Sequence, residues 1–298
     1  MERKFCYYVT KEEVPCCVGE YLRKKGYSRQ ILIHLKKTCR GILVNGEWAY
    51  VRTALHAGDR VETLLTEEAS SQKIIPVPLP FSIVYQDQDL MVIDKPANMP
   101  VHPSVNNYDN TLANAAAHYF QSRGEEFVFR CINRLDRDTT GLLILAKNAL
   151  SASLLSSQMK NRQIHRTYLA VAAGVPEPRT GTIDAPIGRK PDSAIERRVD
   201  FEHGEQAVTH YQVLHSCPSC SLVQLSLETG RTHQIRVHMK SIGCPLLGDY
   251  LYYPDFSLIG RVALHSSQLS FAHPITKELL HFTAPLPKDM AGLFPRDA

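Results

Sequence analysis

The spacing of apolar and polar positions predicts a short helical region at the start of the chain, followed by strands. Apolar residues recur at helical spacing over 18–26 and 31–37. Gly26 is placed to end the first helix, and Ser28 to cap the second. The next stretch, 41–65, alternates like strands joined by Asn-Gly and Gly-Asp turns. Together these patterns predict a small α+β unit of about fifty residues.

Strands predominate in the rest of the chain, and helices intervene irregularly. The stretch 66–80 has the proline, serine and acidic content of a linker. Two short strands around a Gln-Asp turn are expected in 82–96, and an alanine-rich helix capped by Asn110 in 110–120. A further helix is expected at 149–161. Additional strands are expected at 141–148, 167–174, 207–214 and 221–230.

Length and composition are those of an ordinary globular protein. The 298 residues exceed one typical domain, so one large and one small domain are expected. A hydrophobic fraction of 44% and a charged fraction of 21% exclude disordered and fibrous classes. The first residues lack the apolar block of a signal peptide, and apolar runs such as 142–146 are too short to cross a bilayer. We therefore expect a cytoplasmic protein without membrane association.

Positive charge is concentrated in the first fifth of the chain. Residues 1–65 hold 12 Lys and Arg against 7 Asp and Glu, a balance of +5. The remainder holds 22 against 23, which gives −1 and the total of +4. On charge alone, a polyanion-binding module and a solvated helix face are equally open interpretations.

The cysteine and histidine patterns do not complete a metal site. The pair in 217-CPSC-220 has no second CxxC, which favours a turn over zinc or redox chemistry, and the eight cysteines are expected to be reduced. His233 and His238 are interleaved with Arg231 and Arg236, and such cations repel a metal ion. Neither glycine-rich phosphate-loop pattern occurs. We expect no metal and no nucleotide cofactor, and the basic cluster suits phosphate contacts or pairing with a carboxylate.

Asp136 is the candidate for chemistry, because it lies between two arginines just ahead of an apolar strand. Burying a carboxylate there is costly unless a partner or a substrate meets it. The alternative is a turn residue that caps its own backbone, since 136–141 is rich in turn formers. The residues alone leave both readings open.

Seven motifs resemble the RluA-type family of pseudouridine synthases, in the family's order and over nearly the whole chain. The resemblance implies a cofactor-independent isomerase that converts uridine to pseudouridine in RNA. It also implies an α+β fold, in which the catalytic domain is built on a mixed, largely antiparallel sheet flanked by helices. The motifs are 94-DKPANMPVHPS-104, 134-RLDRDTTG-141, 164-IHRTYLAVAAG-174, 204-GEQAVTHYQVL-214, 229-TGRTHQIRVHM-239, 245-PLLGDYLY-252 and 264-LHSSQLSFAHP-274.

The resemblance assigns roles to five residues. Asp136 corresponds to the catalytic aspartate, which acts as nucleophile or base, and Arg236 to its ion-pair partner. Arg134 corresponds to the arginine that enters the RNA stack when the target base is flipped out. Tyr168 corresponds to the tyrosine that stacks on this base and helps to remove its proton, and Leu264 to an apolar wall of the pocket. These roles agree with physical expectation, because a base within a duplex is unreachable unless it is extruded.

The N-terminal unit resembles an S-four-type RNA-binding domain through 27-YSR-29, 36-KKTCRGILVNG-46 and 58-GDRVE-62. The resemblance implies that the second helix and the following loop lie along structured RNA and bind its phosphates without reading sequence. We therefore expect an RNA-binding domain at 1–65, a linker at 66–80 and a catalytic domain at 81–298. The expected RNA contacts are Ser28, Arg29, Lys36, Lys37 and Arg40, together with Arg231 and His233 of the basic cluster.

Two positions depart from the family pattern, and the substrate stays open. Many members carry His before Arg-Leu-Asp and Thr-Ser-Gly after it, where this chain has Asn133 and Thr140. Large-subunit ribosomal RNA is the expected substrate of a monomeric enzyme. The alternatives are transfer RNA as the substrate, or a non-catalytic RNA-binding factor in ribosome assembly. A glycosidase would need a second carboxylate, and the sequence has none in a comparable motif.

Overall fold

The computed structural model describes residues 2–66 and 74–294, which form an N-terminal unit (2–66) and a larger unit (74–294). The expected linker at 66–80 therefore lies partly outside the described residues. The elements of the N-terminal unit are β1 (Glu2–Tyr8), a 3-10 turn (Lys11–Glu13), β2 (Cys16–Cys17), α1 (Val18–Lys24), α2 (Arg29–Lys37), β3 (Ile42–Val44), β4 (Glu47–Trp48), β5 (Ala54–Leu55) and β6 (Arg60–Thr66).

Local chemistry explains the elements of the N-terminal unit. Gly26 adopts a positive φ of 94° after α1, a conformation that glycine accepts at little cost. The Ser28 hydroxyl accepts a hydrogen bond from the Ile31 amide at 3.3 Å and caps α2. The Asn45-Gly46 turn has positive φ at both residues and joins β3 to β4. The antiparallel sheet has the order β1-β6-β3-β4, and its edge strand β1 was not predicted.

The larger unit alternates strands with a few helices, as expected. Its elements are β7 (Ser82–Gln86), β8 (Leu90–Lys95), α3 (Leu112–Gln121), β9 (Thr140–Ala146), α4 (Ala149–Lys160), β10 (His165–Ala173), β11 (Thr180–Asp184), β12 (Ile187–Arg189), β13 (Arg197–Val199), β14 (Val208–Ser216), β15 (Cys220–Leu227), α5 (Gln234–Ser241), β16 (Leu264–Ala272), β17 (Leu279–Thr283) and α6 (Lys288–Ala291).

A nine-stranded sheet dominates the larger unit. Its order is β11-β14-β15-β10-β16-β9-β8-β7, with β17 added to β16. Only the β9–β16 pair is parallel in the described chain, and the other strands of this sheet pair antiparallel. The fold class is thus confirmed as α+β with a mixed, largely antiparallel sheet. No helix in the described ranges has both the length and the apolar character needed to span a membrane.

Both faces of the central strands are buried. Every residue of β9 is buried, as expected for a strand with cover on both faces. The larger core lies on the face that carries Leu143 and Leu145, where it includes Phe120 of α3. A second core lies on the face of Leu142, where it includes Leu155 of α4.

Two differences from the predicted elements have physical causes, and the turn expected at 217–220 is present. Helix α3 is capped by Thr111 rather than Asn110, because the Thr111 side chain accepts from the Asn114 amide at 3.3 Å. Helix α5 was not predicted, because Arg236 and His238 within it are buried where a basic surface pattern was expected. The turn at 217–220 joins β14 to β15 through a hydrogen bond from the Cys217 amide to the Cys220 carbonyl at 2.8 Å.

The two units are packed against each other through α4 and the N-terminal strand. Leu150 of α4 is fully buried in the core of the N-terminal unit. The Ser153 hydroxyl donates to the Gly26 carbonyl at 2.8 Å. Arg3 of β1 donates to both carboxylate oxygens of Asp89, at 2.9 and 2.8 Å.

Candidate active site

A two-lobed cleft opens where the loop 131–139 meets the start of α5. The lobes have volumes of about 570 and 480 Å³ and are large enough for a nucleoside. The residues that line both lobes are Arg134, Leu135, Asp136, His233 and Arg236. A carboxylate, an imidazole and two guanidinium groups therefore lie at the junction of the lobes.

Asp136 is held by one oxygen at this junction, and its side chain is 32% exposed. Its Oδ2 accepts from Arg236 Nη1 at 2.8 Å and lies 3.8 Å from His233 Nε2. Its Oδ1 has no hydrogen-bond partner within 2–66 and 74–294. Within the described residues the carboxylate accepts no hydrogen bond from a backbone amide of 136–141. Asp136 therefore does not cap its own turn, which was the alternative interpretation of this residue. One oxygen is fixed, and the other is available to a substrate.

Asp249 anchors Arg236 from the other side. Arg236 Nε and Nη2 each donate to one oxygen of Asp249, both at 2.7 Å. Asp249 is fully buried, and its Oδ1 also accepts from the amides of Leu251 at 3.0 Å and Tyr252 at 3.2 Å. The guanidinium is thus clamped in two directions and cannot turn without losing charge-assisted hydrogen bonds. Asp249 lies in the motif 245–252, but this anchoring role was not predicted.

The charge on Arg236 is stabilised despite its burial. Burial disfavours the guanidinium, but the hydrogen bonds to Asp249 and the charges of Asp136 and Asp249 outweigh it and raise the pKa of Arg236. The rings of Tyr250 and Tyr252 also lie beside the guanidinium, with centroids 5.4 and 5.0 Å from its carbon. A permanently charged and immobile cation therefore faces Asp136.

His233 lies at the start of α5 in a left-handed conformation, with φ of 57°. Its Nδ1 is 2.9 Å from the Tyr252 hydroxyl. Burial lowers the pKa of His233, and the charge of Asp136 opposes this shift. The neutral imidazole consequently dominates at pH 7 and leaves the Asp136–Arg236 pair undisturbed. His238 points elsewhere, because its two nitrogens contact Thr209 Oγ1 and the Ala185 carbonyl at 2.8 and 2.9 Å.

Tyr168 and Leu264 form part of the wall of the first lobe. Both are buried, with 4% and 5% exposure, and they lie on the neighbouring strands β10 and β16. A β-bulge between Thr167 and Tyr168 shifts the register of this strand pair. Bulges re-aim side chains next to active sites, so the local irregularity sets the position of the tyrosine.

Basic side chains surround the first lobe. Arg134 is exposed and lines both lobes. Lys160, Arg162 and Arg166 line the same lobe and were not predicted. Arg166 Nε is buried without a hydrogen-bond partner in the described chain, which leaves a donor for a ligand. The rim is therefore suited to a polyanion.

Arg231, an expected RNA contact, is engaged by other groups of the protein. It lines the first lobe, but its Nη1 is paired with Glu205 and its Nε donates to the Gln206 carbonyl at 3.0 Å. A second carboxylate, Glu228, also lines the lobe. It is engaged by Arg162 at 2.7 Å and by His210 at 2.9 Å.

The two departures from the family pattern are structural braces. Asn133 is buried, and its Oδ1 accepts from the Ile144 amide at 2.9 Å. Thr140 Oγ1 lies 2.8 Å from His265 Nδ1. Both side chains fix the loop 131–139 to the sheet, and neither lies at the junction of the lobes.

Lys95 closes the base of the same loop. Its ammonium donates to the carbonyls of Pro96, Met99 and Arg137 at 2.7, 2.9 and 2.9 Å. Burial lowers the pKa of Lys95 to about 7, against the opposing charges of Asp138 and Asp136. Three acceptors require all three N–H groups of the charged form, so the cage is complete only while Lys95 is protonated.

The predicted RNA contacts of the N-terminal unit are exposed and lie at the cap of α2, on α2 itself and on the loop that follows. Ser28 is used as the helix cap, and the Arg40 guanidinium donates to the Gly46 carbonyl at 3.1 Å. None of these residues lines either lobe of the cleft. The exposed residues are Ser28, Arg29, Lys36, Lys37 and Arg40.

One cluster in the described chain has the composition of a metal site, namely Asp87, Asp89 and His273. Protein donors already occupy its carboxylates. His273 lies 2.8 Å from Asp87, while Arg3 and Asn148 donate to Asp89. The cluster is a polar contact between the two units.

Comparison with known proteins agrees with the geometry of the cleft. A sequence model described as RNA pseudouridylate synthase matches residues 89–241. The RNA pseudouridine synthase YjbO of Bacillus subtilis is 42% identical over 276 residues, which cover 93% of this chain and 97% of that protein. The ribosomal large subunit pseudouridine synthase D of Nitrosomonas europaea is 38% identical, over 85% of this chain and 75% of that protein.

A solved structure supports the same relationship. Human RNA pseudouridylate synthase domain containing 4 superimposes with a TM-score of 0.56 and 29% identity, over 70% of this chain and 90% of that one. The chain therefore belongs to the RluA-type family of RNA pseudouridine synthases, isomerases that convert uridine to pseudouridine.

Proposed function

We propose that this enzyme isomerises specific uridines of large-subunit ribosomal RNA, with Asp136 as the catalytic carboxylate. The substrate follows from relatives named ribosomal large subunit pseudouridine synthase D in several bacteria, at 36–40% identity. The observation that carries the catalytic assignment is the geometry of Asp136. Its Oδ2 is fixed by a doubly anchored Arg236, while its Oδ1 is unpartnered in the described chain and lies where the two lobes meet.

The reaction requires an extruded base, a broken glycosidic bond and a rotated uracil. Asp136 acts as nucleophile or base while the bond from N1 to C1′ breaks, and the ring rejoins the ribose through C5. Arg236 holds the carboxylate in position through its charge-assisted hydrogen bond to Oδ2. Tyr168 stacks on the flipped base and assists loss of the C5 proton, and Leu264 excludes water from one side of it.

RNA recognition is divided between the cleft and the N-terminal unit in this proposal. Arg134 fills the space that the flipped base leaves, since a planar guanidinium stacks on bases and pairs with phosphate. The N-terminal domain at 1–65 binds structured RNA, the linker covers 66–80, and the catalytic domain covers 81–298. The expected phosphate contacts are Ser28, Arg29, Lys36, Lys37 and Arg40, with Arg231 and His233 at the cleft.

The test is Asp136→Asn. This variant is expected to lose pseudouridine formation while RNA affinity stays within a few fold, because the phosphate contacts are unchanged. Glu228→Gln is the matched control, since Glu228 is a carboxylate of the same cleft that is already paired. Turnover of Asp136→Asn at the wild-type rate would overturn the assignment, and release of free uracil would indicate a glycosidase.

The substrate is tested separately. Mapping pseudouridines in the RNA of cells that lack this protein is expected to reveal missing positions in large-subunit ribosomal RNA. Positions missing only from transfer RNA would overturn the ribosomal assignment and leave the isomerase chemistry in place.

A further inference from the structure

The four-stranded sheet of the N-terminal unit has one covered and one open face. Helices α1 and α2 cover the face on which Phe5, Ile42 and Val61 are buried. Residues paired across neighbouring strands point to the same face. A cross-strand row on the opposite, open face ends at the sheet edge with the only tryptophan of the chain. This row consists of Cys6, Glu62, Leu43 and Trp48.

Trp48 and Tyr50 form an exposed aromatic pair at this edge. They are 53% and 71% exposed, with ring centroids 6.4 Å apart and planes inclined by 18°. The intervening Ala49 is buried, and its amide donates to the Ile42 carbonyl at 3.0 Å. The Tyr50 amide donates to Thr53 Oγ1 at 3.1 Å. The backbone is therefore fixed, and the rings are presented to solvent in a nearly parallel arrangement.

The surroundings of the aromatic pair favour an anionic ligand with planar rings. Arg40 is held beside the β3–β4 turn by its bond to Gly46, and Arg52 is exposed just after Tyr50. Glu62 of the open face is paired with Arg60 at 2.6 Å. Glu47, which precedes Trp48, belongs to the cross-strand row of Val44 and Val61 on the other face. Unpaired nucleic-acid bases stack on such exposed rings, while arginines meet the adjoining phosphates.

We propose that Trp48 and Tyr50 are a stacking platform for an unpaired base of the RNA substrate. Other proteins bind single-stranded RNA through aromatic residues on the open face of a four-stranded sheet, so the arrangement is physically sufficient. The platform lies on the face of the sheet opposite α2, and it adds a second RNA-binding surface to this unit. It rests on the enzyme's action on RNA, but not on the role of Asp136.

The platform is tested by the emission of Trp48, which is the only tryptophan in the chain. The full-length protein is titrated with a single-stranded oligoadenylate, which contains no uridine and cannot react. Emission is expected to be quenched, and an abasic oligomer with the same number of phosphates is expected to leave it nearly unchanged. The oligoadenylate concentration needed for half-maximal quenching is expected to rise with salt, because the arginine contacts to its phosphates release counterions on binding.

Tyr50→Leu keeps the tryptophan reporter and removes one ring. Its affinity for oligoadenylate is expected to fall by about five-fold or more. Phe201→Leu is the control, since Phe201 is 77% exposed on the larger unit and is remote in sequence from the platform. Unchanged affinity of Tyr50→Leu, or equal quenching by the abasic oligomer, would overturn the proposal.

A protein interface at this face would behave differently. Trp48 emission would then change on dilution without RNA, and Tyr50→Leu would abolish that change, which would also overturn the proposal. Failure of the catalytic assignment is distinguishable, because Asp136→Asn would retain turnover while base-dependent quenching remained intact.

Discussion

Replacing Asp249 by Asn removes one charge from the chain of ion pairs behind the active site and leaves the side-chain volume nearly unchanged. The wild-type carboxylate binds Arg236 twice at 2.7 Å and is fully buried. An asparagine can accept from only one of these donors, and its amide N–H groups face the other. The variant therefore leaves a buried guanidinium that has lost half of its counter-charge.

The size of the effect follows from burial. Removing one partner of a buried ion pair costs about 3–5 kcal/mol of stability. For a protein of this size, that corresponds to a fall in melting temperature of roughly ten degrees. Arg236 is also freed to move relative to Asp136, and a shift of about 1 Å in a catalytic group costs about a hundred-fold in rate.

Asp289→Asn is the matched control. Asp289 binds Arg261 with the same two-pronged geometry, at 2.7 and 2.9 Å, but its side chain is 43% exposed. An exposed pair contributes under about 1 kcal/mol, so this variant is expected to unfold close to the wild type.

The measurements are thermal unfolding by circular dichroism and turnover by tritium release from RNA labelled at uridine C5. Asp249→Asn is expected to lose stability and kcat together, with a smaller change in KM. If both aspartate variants unfolded within about one degree of each other and turned over at the wild-type rate, burial of the pair would have no energetic consequence and the reasoning would be refuted.

Three further predictions concern other parts of the molecule. The pKa of Lys95 is about 7 in the folded protein and 10.5 for an ordinary lysine. Between these pH values Lys95 is protonated in the unfolded chain but mostly neutral in the folded protein, so lowering the pH favours unfolding. The free energy of unfolding, measured with urea at several pH values, is therefore expected to fall more steeply from pH 10.5 to 7 in the wild type than in Lys95→Met. Equal pH dependence of the two proteins would contradict this. Gly141→Ala is expected to yield little folded protein in solubility assays, because Gly141 has φ of 106° and an added Cβ would lie 2.3 Å from the Ser266 carbonyl oxygen; normal expression would refute it. Arg3→Gln removes the ion pair with Asp89 and is expected to speed proteolysis between the two units while Asp136 chemistry on short RNA persists; an unchanged cleavage rate would show that α4 holds the N-terminal unit alone.

The spacing of apolar residues was sufficient to predict those helices and strands in which the buried residues are the apolar ones. Helix α2 repeats its apolar residues at helical spacing and begins at Ser28, and both features are visible in the letters. The same reasoning did not predict helix α5, because two of its polar residues, Arg236 and His238, are buried in the protein. A hydropathy pattern treats these residues as surface, and only their partners Asp249 and Thr209 make burial possible. Strand β1 was missed because Phe5 is the only buried residue among its seven, so the strand shows no apolar alternation.

The candidate site was predicted in part. The motifs indicated Asp136, Arg236, Tyr168 and Leu264, and the fold brings all four to one cleft. Asp249 lies in the quoted motif 245–252, but no role was predicted for it, and the pairing of Arg231, an expected RNA contact, with Glu205 was not foreseen.

By itself, the sequence determined the α+β class, the basic N-terminal unit and the residues capable of carboxylate chemistry, because these depend on local periodicity, composition and motif order. Tertiary structure decided how these charges are held, because the family resemblance predicted the pairing of Asp136 with Arg236 but not the anchoring of Arg236 by Asp249. Asp136 and Arg236 are 100 positions apart, and Asp249 comes from a third segment. A charge is tolerated inside a protein only where distant parts of the chain converge to neutralise it, and that convergence belongs to the folded arrangement rather than to any stretch of residues.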